Sequence, residues 1–122
     1  VVVSGDTAKS ANLAKHAAGA DLLIHDVLAK DLMTMAAGNA ERSGDTRRAR
    51  LVRDILTYHA SPAEAAEIAN EAKVETLVLT HMVPPLHPPV TEQMFLRGVA
   101  DIFKGKVVLA KDGLRFDLPA KN

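Results

Sequence analysis

Short runs of apolar, often β-branched residues alternate with longer helical patterns along the chain, and this alternation most constrains its fold. The strand-like runs are Val1–Val3, Leu22–Ile24, Thr76–Thr80 and Val107–Ala110. Strands that are separated by helical segments favour a parallel sheet whose connections cross over through helices. The alternation therefore predicts an α/β fold with a mixed, mostly parallel sheet flanked by helices. At 122 residues, the predicted organisation is one domain over residues 1–122.

Capping residues mark where the predicted helices begin and end. Ser61, Pro62 and Glu64 have the spacing of a capping box with proline at the first helical position, and they predict a helix that reaches Lys73. Ser10 predicts the start of a helix over residues 11–18. Further helices are predicted over residues 27–37, after Asp45, and from Thr91 to Gly105.

Two segments near the carboxyl terminus predict turns or irregular chain. Residues 82–89 contain four prolines and predict a rigid loop. Asp112-Gly113 is a strong two-residue turn signal, and it predicts an antiparallel hairpin between Val107–Ala110 and Leu114–Leu118.

Polar side chains follow three of the predicted strands, at the point where each strand ends. Asp6 follows the first strand, His25 and Asp26 follow the second, and His81 follows the third; His59 comes just before the Ser61 cap. Parallel strands end at one edge of a sheet, where open α/β sheets bind their ligands. Because the chain has no cysteine, a metal site there has only nitrogen and oxygen ligands, which suit Zn, Mn or Fe.

Each of these residues also has an ordinary structural interpretation. Asp6 could be a turn residue or helix cap, and His25 could be a hydrogen-bonded core histidine. His59 could pack beside the Ser61 cap, and His81 could hydrogen-bond a loop carbonyl. Their common placement at one edge of the sheet, rather than any single residue, favours a metal site.

The segments around these residues resemble, in order, those of metallo-β-lactamase fold hydrolases, in the branch of RNase Z and its arylsulfatase-like relatives. Val-Val-Val-Ser-Gly-Asp-Thr is similar to the strand that ends in a metal-bridging aspartate, here Asp6. Leu-Leu-Ile-His-Asp-Val is similar to the His-Glu-Ala-Thr loop, here His25 and Asp26. Tyr-His-Ala-Ser-Pro is similar to the His-Ser-Thr loop, here His59, and Leu-Val-Leu-Thr-His resembles the last metal-ligand strand, here His81.

The resemblance implies a fold, a cofactor and a role for each residue. The expected fold is the C-terminal half of a four-layer αββα sandwich, and the expected cofactor is a pair of zinc ions that Asp6 bridges and His81 helps to bind. His59 would stabilise negative charge on the substrate or protonate the leaving group. Asp26, beside His25, would orient an imidazole or relay a proton. The implied reaction is hydrolysis of a phosphate, sulfate or related ester, in a small molecule or in RNA.

The chain departs from the family pattern in two ways. It lacks the His-x-His-x-Asp-His motif, so we expect a C-terminal fragment of a larger hydrolase that is inactive alone. Such a piece would pack against the missing N-terminal half or against a second copy in a homodimer. Asp26 stands where RNase Z has Glu and Ala60 where it has Ser, which favours a relative with another substrate. No apolar run is long enough to span a membrane, so we expect a soluble protein, cytoplasmic or periplasmic.

The alternative function is a non-catalytic α/β module that self-associates or binds RNA or another partner. Five arginines crowd one stretch: Arg42, Arg47, Arg48, Arg50 and Arg53. They could contact a nucleic-acid backbone, or they could form an ordinary solvated face. Fifteen basic residues balance fifteen acidic ones, and one Tyr with three Phe and no Trp offers little stacking for single strands.

Overall fold

A four-stranded parallel sheet is the centre of the computed structural model, which describes residues 1–120. The strands lie in chain order, and each neighbouring pair is parallel: β1 (Val2–Val3), β2 (Leu22–Leu28), β3 (Thr76–Val83) and β4 (Lys106–Leu109). The predicted α/β class and mostly parallel sheet are therefore confirmed.

Helices provide the connections between the strands. The first and second connections contain α1 (Ala11–His16), α2 (Lys30–Arg42), α3 (Thr46–Ile55) and α4 (Pro62–Ala72), and the last contains α5 (Glu92–Leu96) and α6 (Val99–Ile102). Ser10 caps α1, Asp45 caps α3 and Thr91 caps α5, as their positions predicted. Within residues 1–120, no helix is long and apolar enough to cross a membrane.

The main core lies between the sheet and the helices that cover one of its faces. The register places Leu23, Leu77 and Val107 side by side, and they belong to one cluster with Ile68 of α4 and Phe95 of α5. The buried residues of α4 are mostly alanines, whose small side chains let the helix lie close to the sheet. This packing holds the carboxyl ends of β2 and β3 in a fixed position.

The opposite face of the sheet carries a second apolar row. The register aligns Val3, Ile24, Val78 and Val108, and none of them belongs to the main core cluster. Val78 is buried and Ile24 and Val108 are half-buried, whereas Val3 is 64% exposed. The strand predicted at Val1–Val3 therefore forms over Val2–Val3, but it is an edge strand and is not buried, because Val1 and Val3 are exposed and Val2 is half-buried.

The boundary between β2 and α2 differs from the prediction. β2 continues through His25 and Asp26 to Leu28, so the helix that was predicted from Val27 begins at Lys30. Pairing with β3 extends the strand, and the Leu28 N–H also donates to the carbonyl of Ala60, 2.8 Å away. The helix then runs beyond its predicted end at Ala37 and through Gly38, because a glycine inside a helix costs only about 1 kcal/mol relative to alanine.

Two predictions for the last third of the chain are also wrong. The helix that was predicted from Thr91 to Gly105 is divided at Gly98, whose φ of 77° leaves the helical region. The turn at Asp112-Gly113 forms, with the Leu114 N–H bonded to the carbonyl of Lys111, but residues 114–118 form no strand. The predicted antiparallel hairpin is thus absent from the described residues, and β4 pairs in parallel with β3.

Candidate metal centre at the carboxyl edge of the sheet

One carboxylate and two imidazoles meet at the edge where the strands end. Asp6, His59 and His81 each offer a ligand atom, and these atoms all lie within 4.8 Å of one another. The Nδ1 atom of His81 lies 3.4 Å from a carboxylate oxygen of Asp6. Both of these side chains are more than half exposed, whereas His59 is buried. The fold thus brings together three of the five residues that the sequence singled out.

The backbone at His81 is unusual for a strand residue. Its φ of 46° lies in the left-handed region, which residues other than glycine adopt at a cost of about 1–2 kcal/mol. His81 lies near the end of β3, just beyond the paired residue Thr80. Such outliers are concentrated at functional sites, where the surrounding structure holds them in place.

Asp26 is the buried carboxylate that joins the site to the sheet. One carboxylate oxygen lies 2.7 Å from Nδ1 of His59, and the other accepts from the backbone N–H of Thr7 at 3.2 Å. The Asp26 N–H in turn donates to the hydroxyl of Ser4 at 3.3 Å. Asp26 therefore fixes the loop that carries Asp6 as well as the ring of His59.

The start of α4 determines where His59 lies. The Ser61 hydroxyl accepts from the Glu64 N–H at 3.1 Å, and the Glu64 carboxylate accepts from the Ser61 N–H at 2.7 Å. Ala60 is buried between His59 and this cap, and its carbonyl is bonded to β2. The capping box thus holds the residues on the carboxyl side of His59 in one conformation.

The histidine ring orientation follows from these partners. Nδ1 of His59 donates to Asp26. In the neutral ring Nε2 therefore carries the lone pair, and in the charged ring it carries the second proton. The rings of His59 and His81 are stacked with centroids 5.8 Å apart, and the ring of Tyr58 lies 5.1 Å from that of His59. Tyr58, Ser4 and Thr7 were not singled out from the sequence, although Ser4 and Thr7 lie in the segment Ser-Gly-Asp-Thr around Asp6.

His25 does not belong to the three-residue cluster. Its Nδ1 donates to the carbonyl of Asp26 at 2.7 Å, and its Nε2 atom is buried without a hydrogen-bond partner among the described residues. The ring therefore touches Asp26 but not the open side of the site.

The donor set of the cluster suits a borderline metal ion. Zinc in catalytic sites binds imidazole nitrogen and carboxylate oxygen, with one position open to water or substrate. Asp6 and His81 supply these two donor types at the exposed side of the cluster, and the His59 ring, whose Nδ1 contacts Asp26, lies beside them. The residues present therefore fit a metal ion.

Comparison with solved structures and known sequences shows which proteins the chain resembles. The metallo-beta-lactamase fold protein YhfI from Bacillus subtilis superposes with a TM-score of 0.61 and 23% identity, over 92% of this chain and 37% of its own. "Ribonuclease Z" of Mycobacterium tuberculosis (strain ATCC 25618 / H37Rv) is 38% identical over 112 residues, which is 92% of this chain. "Ribonuclease Z" of Mycobacterium sp. (strain KMS) is 42% identical over 88 residues. No protein-family model matches the chain.

The chain has part of the metallo-β-lactamase fold. Within that fold, the chain is related to the proteins named ribonuclease Z, and the resemblance seen in the sequence is confirmed. The chain spans 37% of the length of the Mycobacterium tuberculosis relative and 27% of the length of the strain KMS relative.

Proposed function

We propose that residues 1–122 are one domain of a larger, dinuclear metal-dependent phosphodiesterase, and that the chain alone is inactive. The observation that carries this proposal is the convergence of Asp6, His59 and His81 within 4.8 Å at the carboxyl edge of the sheet. The names of the sequence relatives favour RNA as the substrate. A small phosphate or sulfate ester remains the second candidate, because Asp26 and Ala60 replace residues of the RNase Z pattern.

The chain's residues divide into ligands and a proton donor. Asp6 and His81 would hold zinc, because both are exposed at the carboxyl edge of the sheet and their ligand atoms are close together. Zinc bound there would polarise the ester and lower the pKa of water. His59 is the proposed proton donor to the leaving oxygen when the P–O bond breaks, with the proton held on Nε2. Asp26 would stabilise the positive charge of the ring through its 2.7 Å contact with Nδ1.

Metal content and turnover, measured together on the complete gene product, test this assignment. We expect Asp6→Ala and His81→Ala to lower the zinc content and to abolish hydrolysis of bis(p-nitrophenyl) phosphate. His59→Ala should abolish turnover while the zinc content is retained. Loss of zinc in His59→Ala would instead make His59 a ligand, and full activity in Asp6→Ala would refute the site.

A further inference from the structure

The outward face of α3 carries positive charge that has no partner in the described structure. Arg47, Arg50 and Leu51 lie on this face and are exposed, while Ala49 and Val52 on the opposite face are buried. Among residues 1–120, no carboxylate lies within 4.0 Å of the guanidinium of Arg47 or Arg50. Arg53, by contrast, is paired with Glu41 across the α2–α3 contact.

The charge of α3 differs from that of the whole chain. The helix contains four arginines and one acidic residue, Asp54, although basic and acidic residues balance over the full sequence. Oppositely charged residues three or four positions apart can pair on a helix surface, but Arg47 and Arg50 form no such pair among the described residues. The surface of Arg47 and Arg50 is therefore suited to a polyanion.

The position of α3 relates this charge to the site. α2 and α3 form a helical pair that leaves the sheet after Leu28 and returns at Tyr58 and His59. Tyr58 is 49% exposed, and its ring lies beside that of His59. Only three residues separate the end of α3 at Ile55 from His59, so a polyanion bound to α3 stays within short reach of the cluster of Asp6, His59 and His81. The exposed ring of Tyr58 lies in this connection and can stack on a base.

We propose that the outward face of α3, through Arg47 and Arg50, binds the phosphate backbone of an RNA substrate. This inference rests on the proposed function, because that function makes RNA the polyanion that must reach the site. Arginine suits the role, since its planar guanidinium binds a phosphate with two parallel hydrogen bonds. Such contacts position the RNA without reading its sequence.

The experiment uses the zinc-loaded, complete gene product and a fluorescein-labelled RNA hairpin with a single-stranded 3′ extension. The variant R47A/R50A removes two charges at exposed helical positions, where alanine preserves the helix. The matched control K104A/K106A removes two charges at the amino end of β4, at the opposite edge of the sheet from the site. Binding is measured by anisotropy over a range of salt concentrations, and cleavage of RNA and of bis(p-nitrophenyl) phosphate is measured alongside.

We expect R47A/R50A to reduce the slope of log Kd against log salt by about 1.5, because each lost phosphate contact removes about 0.7–0.9. The KM for RNA should rise about tenfold while turnover of the small diester stays unchanged.

Equal slopes in R47A/R50A and wild type, or equal losses in K104A/K106A, would overturn the proposal. Equally tight binding of poly-glutamate would overturn it too, by assigning the face to an acidic protein. If the wild type cleaves neither substrate, the proposed function fails, and the slope still decides whether this face binds RNA.

Discussion

Asp26 holds several neighbouring residues of the site in place. Its buried carboxylate contacts the ring of His59 and the backbone of Thr7, and its N–H contacts Ser4. The sequence could place Asp26 at the end of a strand, because the apolar run before it is clear. It could not show which imidazole Asp26 contacts, since His59 is thirty-three residues away and the chain between them forms a helical pair. The sequence paired Asp26 with its neighbour His25, whereas the structure adds the longer-range partner.

The contact between Asp26 and His59 predicts a loss of catalysis when the carboxylate is removed. In Asp26→Asn of the complete gene product, the amide cannot stabilise a positive charge on His59, so turnover of bis(p-nitrophenyl) phosphate should fall about 10²–10⁴-fold. The zinc content should remain that of the wild type, because Asp26 is not among the proposed ligands. Asp101→Asn, an exposed change on α6, is the matched control. If Asp26→Asn retained wild-type turnover, Asp26 would have no role in catalysis.

At the scale of elements, local signals predicted the helix starts well and the strand ends poorly. The capping box of α4 is a short-range pattern, and it formed at the predicted residues. The end of β2 depends instead on pairing with β3 and on the carbonyl of Ala60, which lie far away in the sequence. The turn at Asp112-Gly113 forms without its hairpin because β4 takes its partner from β3 rather than from the chain after the turn.

The α4 cap has a measurable effect on stability. Ser61→Ala removes the acceptor for the Glu64 N–H and should lower the free energy of unfolding by about 1 kcal/mol. Urea denaturation of the protein measures this change. Ser43→Ala, at the carboxyl end of α2, alters a hydroxyl that caps no helix start and should cost less. A larger loss in Ser43→Ala than in Ser61→Ala would contradict this account of the cap.

The same cap makes stability depend on pH. Partial burial tends to raise the pKa of Glu64, but the hydrogen bond and charge of Lys30 and the Ser61 N–H outweigh burial, and they lower it below its ordinary value of 4.5. Because the folded-state pKa is the lower one, the stabilisation is present above about pH 4.5 and is lost as the pH falls through the folded pKa. We expect Glu64→Gln to unfold with a shallower acid dependence than the wild type. Urea midpoints at a series of acidic pH values measure this, and an unchanged dependence would assign the effect to other carboxylates.

At the scale of the whole molecule, the sheet has two unequal faces. Helices cover the face that carries Leu23 and Leu77, as the alternation of strands and helices predicted. The row of Val3, Ile24, Val78 and Val108 on the other face has the apolar character of a surface that packs against another layer. The pairing of the strands and the face on which each side chain lies are seen only in the structure. The sequence therefore predicted a second layer against this face only through the family resemblance.

The exposed edge of this row leads us to expect that the 122-residue chain, expressed alone, associates through its sheet. Val3 lies on the exposed edge of the row, so burying it against a second copy removes apolar surface from water at about 25 cal/mol per Å². Light scattering at micromolar concentration should give the mass of a dimer, and Val3→Lys should shift it towards the monomer without loss of helical circular dichroism. Leu51→Lys, an equally exposed apolar position on α3, is the control and should leave the dimer intact. A monomer mass for the unaltered chain would show that this face needs no second layer, and disruption by Leu51→Lys alone would place the contact on α3 instead.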